Sequence, residues 1–200
     1  MESKRPSAPR SSPLRRLIKF IADLRTPLAP RYERWEAKNF WLRLAGMNIA
    51  ARGVAIGAGF KCIEGHEENI VIEDFAAIGH NVHLWNFDHI RIGRFSTIAA
   101  DVIISNGWHD PNSFEPASGP TRIGHGTWIG TGARIVGSIV IGDNAIVGAG
   151  AVVIHDVPPN SIAVGVPARV IGTRELPDRV WHFKNAYYSP VDFELVGVPE

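Results

Sequence analysis

Ile123-Gly124-His125-Gly126-Thr127-Trp128-Ile129-Gly130-Thr131-Gly132-Ala133-Arg134-Ile135, extended by Ile141-Gly142-Asp143-Asn144-Ala145-Ile146-Val147-Gly148-Ala149-Gly150-Ala151-Val152-Val153, decides the fold. Every sixth residue is aliphatic: Ile123, Ile129, Ile135, Ile141, Val147 and Val153. Four residues after each stands Thr127, Ala133, Ile139, Ala145, Ala151 or Val157. A period of six is neither that of a helix nor that of a simple strand. Working outward, the same spacing occurs at Ile72, Ile78, Leu84 and Ile90, slips by two residues, and resumes at Ile92, Ile98 and Ile104. Glycine follows the anchor in Ile78-Gly79, Ile92-Gly93, Ile123-Gly124, Ile129-Gly130, Ile141-Gly142 and Val147-Gly148, which reads as a tight turn after a short extended segment. One such unit cannot bury its anchor alone. Successive units must stack, hydrogen-bonding in parallel at about 4.8 Å, into a solenoid. The expected fold is an all-β parallel β-helix.

The rest of the chain fits one domain with attachments. It has 200 residues, 45% hydrophobic and 20% charged, which excludes wholesale disorder. A single cysteine, Cys62, excludes an internal disulfide framework and fits a reducing compartment, so the cytoplasm is the expected location. The net charge of +1 conceals an asymmetry, because residues 1–43 hold 11 of the 21 Lys and Arg but only 4 of the 20 acids. Such a basic arm suits an anionic partner, a membrane surface or the acidic body itself. No run of 18 apolar residues and no secretory leader pattern is present. Residues 1–12 read as a disordered basic tail, and residues 13–47 as amphipathic helices. The first of these carries Leu14, Leu17, Ile18, Ile21 and Leu24; the second runs from about Tyr32 to Leu44. The solenoid is expected over 48–171, broken by a loop at 105–121. Residues 172–200 are read as a helical extension, with Leu176, Val180, Trp181 and Phe183 on its apolar face, so that helices cover both open ends.

The stretch from Val54 to Ile171, above all Ile123–Val153, then Asp156-Val157-Pro158-Pro159-Asn160 and Gly165-Val166-Pro167-Ala168-Arg169-Val170-Ile171, resembles the hexapeptide-repeat acyltransferases in their sugar O-acetyltransferase branch. The resemblance implies a left-handed β-helix of three units per coil. It also implies a homotrimer with active sites between subunits, acetyl-CoA as acyl donor and a carbohydrate acceptor, in polysaccharide biosynthesis. Handedness follows from the resemblance alone, since parallel crossovers are otherwise right-handed.

The loop holds His109, five residues after the anchor Ile104. Loops on a rigid scaffold favour function, and an imidazole can take a proton from a hydroxyl attacking a thioester. By itself His109 is equally readable as an idle surface histidine. The resemblance makes it the general base; Asp110 is a weak candidate to orient it, a backbone amide is the hypothesis for the oxyanion, and direct transfer in a ternary complex is expected because Cys62 is not a nucleophile. The resemblance further puts Trp128, Gly130, Thr131 and Ala149 beside the pantetheine, and His155 and Arg169 near the phosphates of CoA. The small residues serve turns as well as ligands. A guanidinium suits phosphate. Two departures weaken this assignment. His155 stands where many relatives have Lys, and Gly172 replaces a second basic residue, for which Arg174 is the substitute at hand. On the acceptor side the candidates are Asn81, Trp85, Asn86, Asp88 and Trp108, each also explicable as a turn residue or surface aromatic.

Three other readings compete. An amino-sugar N-acetyltransferase would use the same base. A scaffold without chemistry would retain the coil but gain nothing from His109. A zinc site of the γ-carbonic-anhydrase kind needs converging histidines, whereas His80 and His83 are three apart and His125 has no near partner, so no metal is expected. Cys62 occupies an anchor position and is not read as a nucleophile. No nucleic-acid partner is expected. The basic N-terminal helix leaves open a weak contact with the inner membrane face.

Overall fold

The computed structural model describes residues 13–14, 17–18, 21, 31–63, 66–175, 179–184 and 187–192. Short parallel strands wind around a three-sided coil, and each side is one hydrogen-bonded sheet. Side 1 stacks Ile49, Ile72, Ile92, Ile123 and Ile141, with Val157 bridged to Ile141. Side 2 stacks Ile56, Ile78, Ile98, Ile129, Val147 and Ala163. Side 3 stacks Cys62, Leu84, Ile104, Ile135 and Val153. Except for the half-buried Cys62, these anchors form one buried column, and each large aliphatic side chain removed from water contributes about 1.5–3 kcal/mol. The second set, Thr127, Ala133, Ala145 and Ala151 among them, fills the inner angle of the corners, where little volume is left.

The glycine after each anchor has a different job from the one its position suggests. A Cβ on Gly130 would lie 2.5 Å from the backbone N of Ala149, and one on Gly142 2.3 Å from that of Pro159, so these glycines let one coil touch the next. The positive φ needed to turn the corner falls two residues later, on Phe75, Asn81, Phe95, Asp101, Asn144 and Asn160. Phe75 and Phe95 accept that conformation in adjacent coils and stack ring on ring, centroids 5.0 Å apart.

Both ends of the column are covered, by different means. A helix, α1 (Arg31–Leu44), stops at Gly46, whose φ of 111° allows the N–H of Met47 to reach back to Leu42 O. Side chains of α1 then donate to first-coil carbonyls that no earlier coil can satisfy. Lys38 Nζ reaches Gly57 O at 2.7 Å, Asn39 Nδ2 reaches Val54 O at 2.7 Å, and Arg43 spans Ile49 O and Ala50 O at 2.8 and 2.5 Å. The described part of the expected first helix, Pro13, Leu14, Leu17, Ile18 and Ile21, is helical, with Ile18 buried and Leu14 and Leu17 exposed. The expected tail 1–12 lies outside the described residues. At the far end parallel winding stops at Ala163, and Ala168–Thr173 folds back antiparallel on Ser161–Gly165.

The C-terminal helical extension is corrected. Arg179–Lys184 and Tyr187–Asp192 pair as an antiparallel hairpin, Val180 opposite Val191 and Phe183 opposite Tyr188. These runs are dense in aromatic and β-branched residues, which suit strands better than helices, and the pairing satisfies backbone groups across the ladder.

Candidate active site

The loop leaves the coil at the corner between sides 3 and 1. Gly107–His109 pairs antiparallel with Pro116–Ser118, Trp108 opposite Ala117 and His109 opposite Pro116. Asp110 ties the tip together: one carboxylate oxygen accepts from Ser113 N at 2.8 Å, Asn112 N at 2.9 Å and Ser113 Oγ at 3.1 Å. The Ser113 and Asn112 N–H groups hold its carboxyl below the usual 3.8. Asp110 therefore fastens the loop tip and leaves His109 to another partner. His109 Nδ1 lies 2.8 Å from Phe114 O. A carbonyl only accepts, so Nδ1 carries the proton and, in the neutral ring, Nε2 keeps its lone pair on an exposed side chain.

The turn one coil below occupies the same corner. Asn86 is wholly buried there; its amide donates to His66 O at 2.6 Å, and its oxygen accepts the thiol of Cys62 at 2.9 Å. This leaves it no exposed face for an acceptor. Asp88 is half-buried, and its carboxyl is held below 3.8, first by the His89 N–H at 2.6 Å and then by the His89 ring. Trp85, Phe87, Trp108 and Phe114 are exposed large aromatics around this corner. The structure thus gathers Trp85, Asp88, Trp108 and His109, sets Asn86 beneath them, and leaves Asn81 on another corner, where its amide bonds Asp101 Oδ1 at 3.2 Å. Asn106, which the sequence reading passed over, is wholly buried between the turn and the loop. Its signal was its place as the residue where the repeat breaks.

The expected donor residues lie mainly along the corner between sides 2 and 3. Thr131 and Ala149 are exposed on consecutive coils, joined by the bond from Gly150 N to Thr131 O at 2.8 Å, and Gly130 is buried against Ala149. Trp128 projects from side 2. Arg169 pairs with Val164 on the terminal flap; it gives one N–H to Ala168 O at 2.9 Å and is otherwise exposed. His155 is exposed on the corner between sides 3 and 1, so the structure does not bring it to Arg169's strand. Arg174 cannot stand in for the missing base. Its half-buried guanidinium is spent on Gly126 O and Asn144 O, both at 3.2 Å, and burial lowers its pKa.

The histidines weighed for zinc do not converge. His80 Nδ1 accepts from Ala58 N at 3.1 Å between sides 2 and 3, while His125 is buried between sides 1 and 2 with Nε2 3.1 Å from Glu73. No group of three metal-capable side chains occurs among the described residues.

Comparison with known proteins agrees with the fold. Residues 120–155 match the family model described as bacterial transferase hexapeptide, six repeats. The putative colanic acid biosynthesis acetyltransferase WcaF of Escherichia coli K12 is 33% identical over 143 residues, 70% of this chain and 76% of WcaF. The chain belongs to the hexapeptide-repeat acyltransferases. The galactoside O-acetyltransferase of the same organism is 36% identical over 135 residues, which cover 58% of this chain and 66%, just under two thirds, of that enzyme. A maltose O-acetyltransferase structure from Clostridium difficile 630 superposes with a TM-score of 0.67 at 30% identity, covering 81% of this chain and 87% of the other. The three-sided solenoid is accordingly the left-handed β-helix of this family.

Proposed function

We propose that the protein transfers an acetyl group from acetyl-CoA to a hydroxyl of a sugar or polysaccharide precursor, with His109 as general base. The observation that carries this reading is the bond from His109 Nδ1–H to Phe114 O, which fixes the tautomer and points a free Nε2 lone pair outward. Nε2 takes the proton of the acceptor hydroxyl as its oxygen attacks the thioester carbonyl. The tetrahedral intermediate then collapses, the C–S bond breaks, and the imidazolium returns the proton to the departing CoA sulfur. Among the acceptor candidates, Asp88 has a carboxylate oxygen left over from its bonds to His89, and Trp85 and Trp108 offer faces to a pyranose ring.

The small-residue corner suits the donor. Thr131 and Ala149 are exposed where Gly130 brings two coils into contact, so an extended pantetheine would meet backbone at close range. Arg169 would face its phosphates from the neighbouring flap. Thr131 and Ala149 lie on the corner opposite His109 across side 3, so one chain presents the base and the donor corner on different edges. This supports a homotrimer whose sites form between copies, which the relatives' shared fold favours. Acetyl-CoA as donor supports a cytoplasmic location for the reaction. The exposed Leu14 and Leu17 beside Arg15, Arg16 and Lys19 support a weak contact with an anionic membrane surface.

The test is a thiol-release assay with acetyl-CoA against a panel of sugars and nucleotide sugars. Wild-type protein should turn over at least one hydroxyl acceptor, and His109→Ala should not. Mixing His109→Ala with Ala149→Trp subunits should restore part of the activity if base and donor corner come from different copies. Turnover in His109→Ala equal to wild type would sink the base assignment.

A further inference from the structure

We infer that Asn106 is a positioning residue for acetyl transfer, locking the acceptor-side turn to the foot of the loop that carries His109; this rests on the His109 reading above. Asn106 is 0% exposed, and every polar group it owns is used. Its side-chain oxygen accepts from Phe87 N at 2.9 Å and Asp88 N at 3.1 Å, and its side-chain nitrogen donates to His89 O at 3.1 Å. Its backbone oxygen accepts from Gly119 N at 3.1 Å, and its backbone nitrogen donates to Trp85 O at 3.3 Å. The first three bonds hold the turn below; the fourth closes the neck of the loop, since Gly119 directly follows Pro116–Ser118 while Asn106 directly precedes Gly107–His109. His89 O also accepts from Thr121 N at 2.9 Å, where the chain rejoins the coil. Gly107 reinforces the same joint, because a Cβ there would lie 2.3 Å from the Phe87 ring.

An amide is the side chain this place requires. Two N–H groups and one carbonyl converge on it, and an amide meets them with an acceptor oxygen and a donor nitrogen on separate atoms, where the shorter Ser or Thr hydroxyl has both functions on one atom. The longer Gln would overfill a site in which Asn106 is already 0% exposed. The hydrogen bonds of Asn106 go to Trp85, Phe87, Asp88, His89 and Gly119 and not to the His109 ring, so its influence runs through the relative placement of Asp88 and His109. A displacement of about 1 Å between a bound acceptor and its base costs on the order of a hundredfold in rate.

The experiment measures kcat, both KM values and the melting temperature for Asn106→Ala and Asn106→Asp, with CoA binding by calorimetry to count folded sites. Asn106→Asp keeps an acceptor for Phe87 and Asp88 but turns an oxygen toward His89 O. The expected result, per folded site, is a fall of roughly 10- to 100-fold in kcat over acceptor KM for the alanine variant and a smaller fall for aspartate. The KM for acetyl-CoA should stay within about twofold of wild type, because the donor corner is elsewhere. Unchanged acceptor kinetics in folded variants would overturn the inference. So would equal losses for both substrates, or failure of both variants to fold, since each makes Asn106 a fold residue only. Failure of the underlying reading looks different: there His109→Ala itself keeps turnover.

Discussion

Two corners of one prism follow opposite rules. Between sides 2 and 3 the chain steps by six residues in every coil, from Ile56 to Cys62, Ile78 to Leu84, Ile98 to Ile104, Ile129 to Ile135 and Val147 to Val153. Between sides 3 and 1 the step changes each time, running from Cys62 to Ile72, Leu84 to Ile92, Ile104 to Ile123, Ile135 to Ile141 and Val153 to Val157. Close backbone contact explains the first corner. Gly79 backs onto Ala99 and Ala100, and Gly130 onto Ala149, so an added residue has nowhere to go. The second corner is lengthened instead, and both the turn at 86–89 and the loop with His109 are built there. The coil fixes one edge so that the other can vary.

Insertion breaks this comparison most directly. A Gly-Ser pair placed between Thr131 and Gly132 severs the bonds from Gly150 N to Thr131 O and from Gly132 N to Ala100 O, and is expected to leave no folded protein. The same pair between Gly137 and Ser138, in the same coil, copies the natural lengthening at 86–89. Its cost should stay near 0.6 kcal/mol and lower the melting temperature by roughly 2 °C. Circular dichroism melts of both variants decide the matter; equal losses would mean the corners are alike.

Next in size is the separation of chemistry from scaffold. His109→Ala removes an exposed ring and should lower turnover about 10²- to 10⁴-fold while shifting the melting temperature by roughly 1 °C or less. Ile135→Ala, at 0% exposure on side 3, should do the reverse. It is expected to cost about 2–5 kcal/mol, with turnover per folded molecule near wild type. Paired measurements of rate and thermal stability check both, and a large stability loss in His109→Ala would refute the division.

The two corners also explain how much could be read from the amino acids. The anchors were legible because each is aliphatic at a fixed period, and all of Ile123, Ile129, Ile135, Ile141, Val147 and Val153 are stacked in the column. The glycine after the anchor was legible as special but not for its reason, since close approach to another coil is not a local property. Asn81 illustrates the limit on sites. An Asn with φ of 55° at a corner and an Asn facing a ligand look the same in sequence. The side-chain amides of Asn86 and Asn106 bond partners 17 to 24 residues away, which no spacing rule reveals. The terminal hairpin was missed for another reason. Val180, Trp181 and Phe183 fit a helical stripe as well as a strand, and only the matching run at Tyr187–Asp192 separates the two.

The smallest effect belongs to the loop tip, where Asp110 stands in for a coil. The fixed corner is held by stacked backbone, whereas the tip is held by one exposed carboxylate on Ser113 and Asn112. Its carboxyl binds a proton less readily in the folded loop than the ordinary 3.8, so its stabilising contribution is complete above about 3.8 and is lost as pH falls below that value. Asp110→Asn removes the charge at every pH. Because the group is held at the surface of the loop tip, the global melting temperature should barely move. The loop alone should respond: amide exchange at Ser113 should quicken in the variant near neutral pH and in the wild type only in acid. Turnover should fall by less than about tenfold as Phe114 O holds His109 less firmly. Exchange at Ser113 that is indifferent to both the substitution and the acid would show that the hairpin pairing of Trp108 with Ala117 suffices, and that the variable corner carries its own rigidity without the carboxylate.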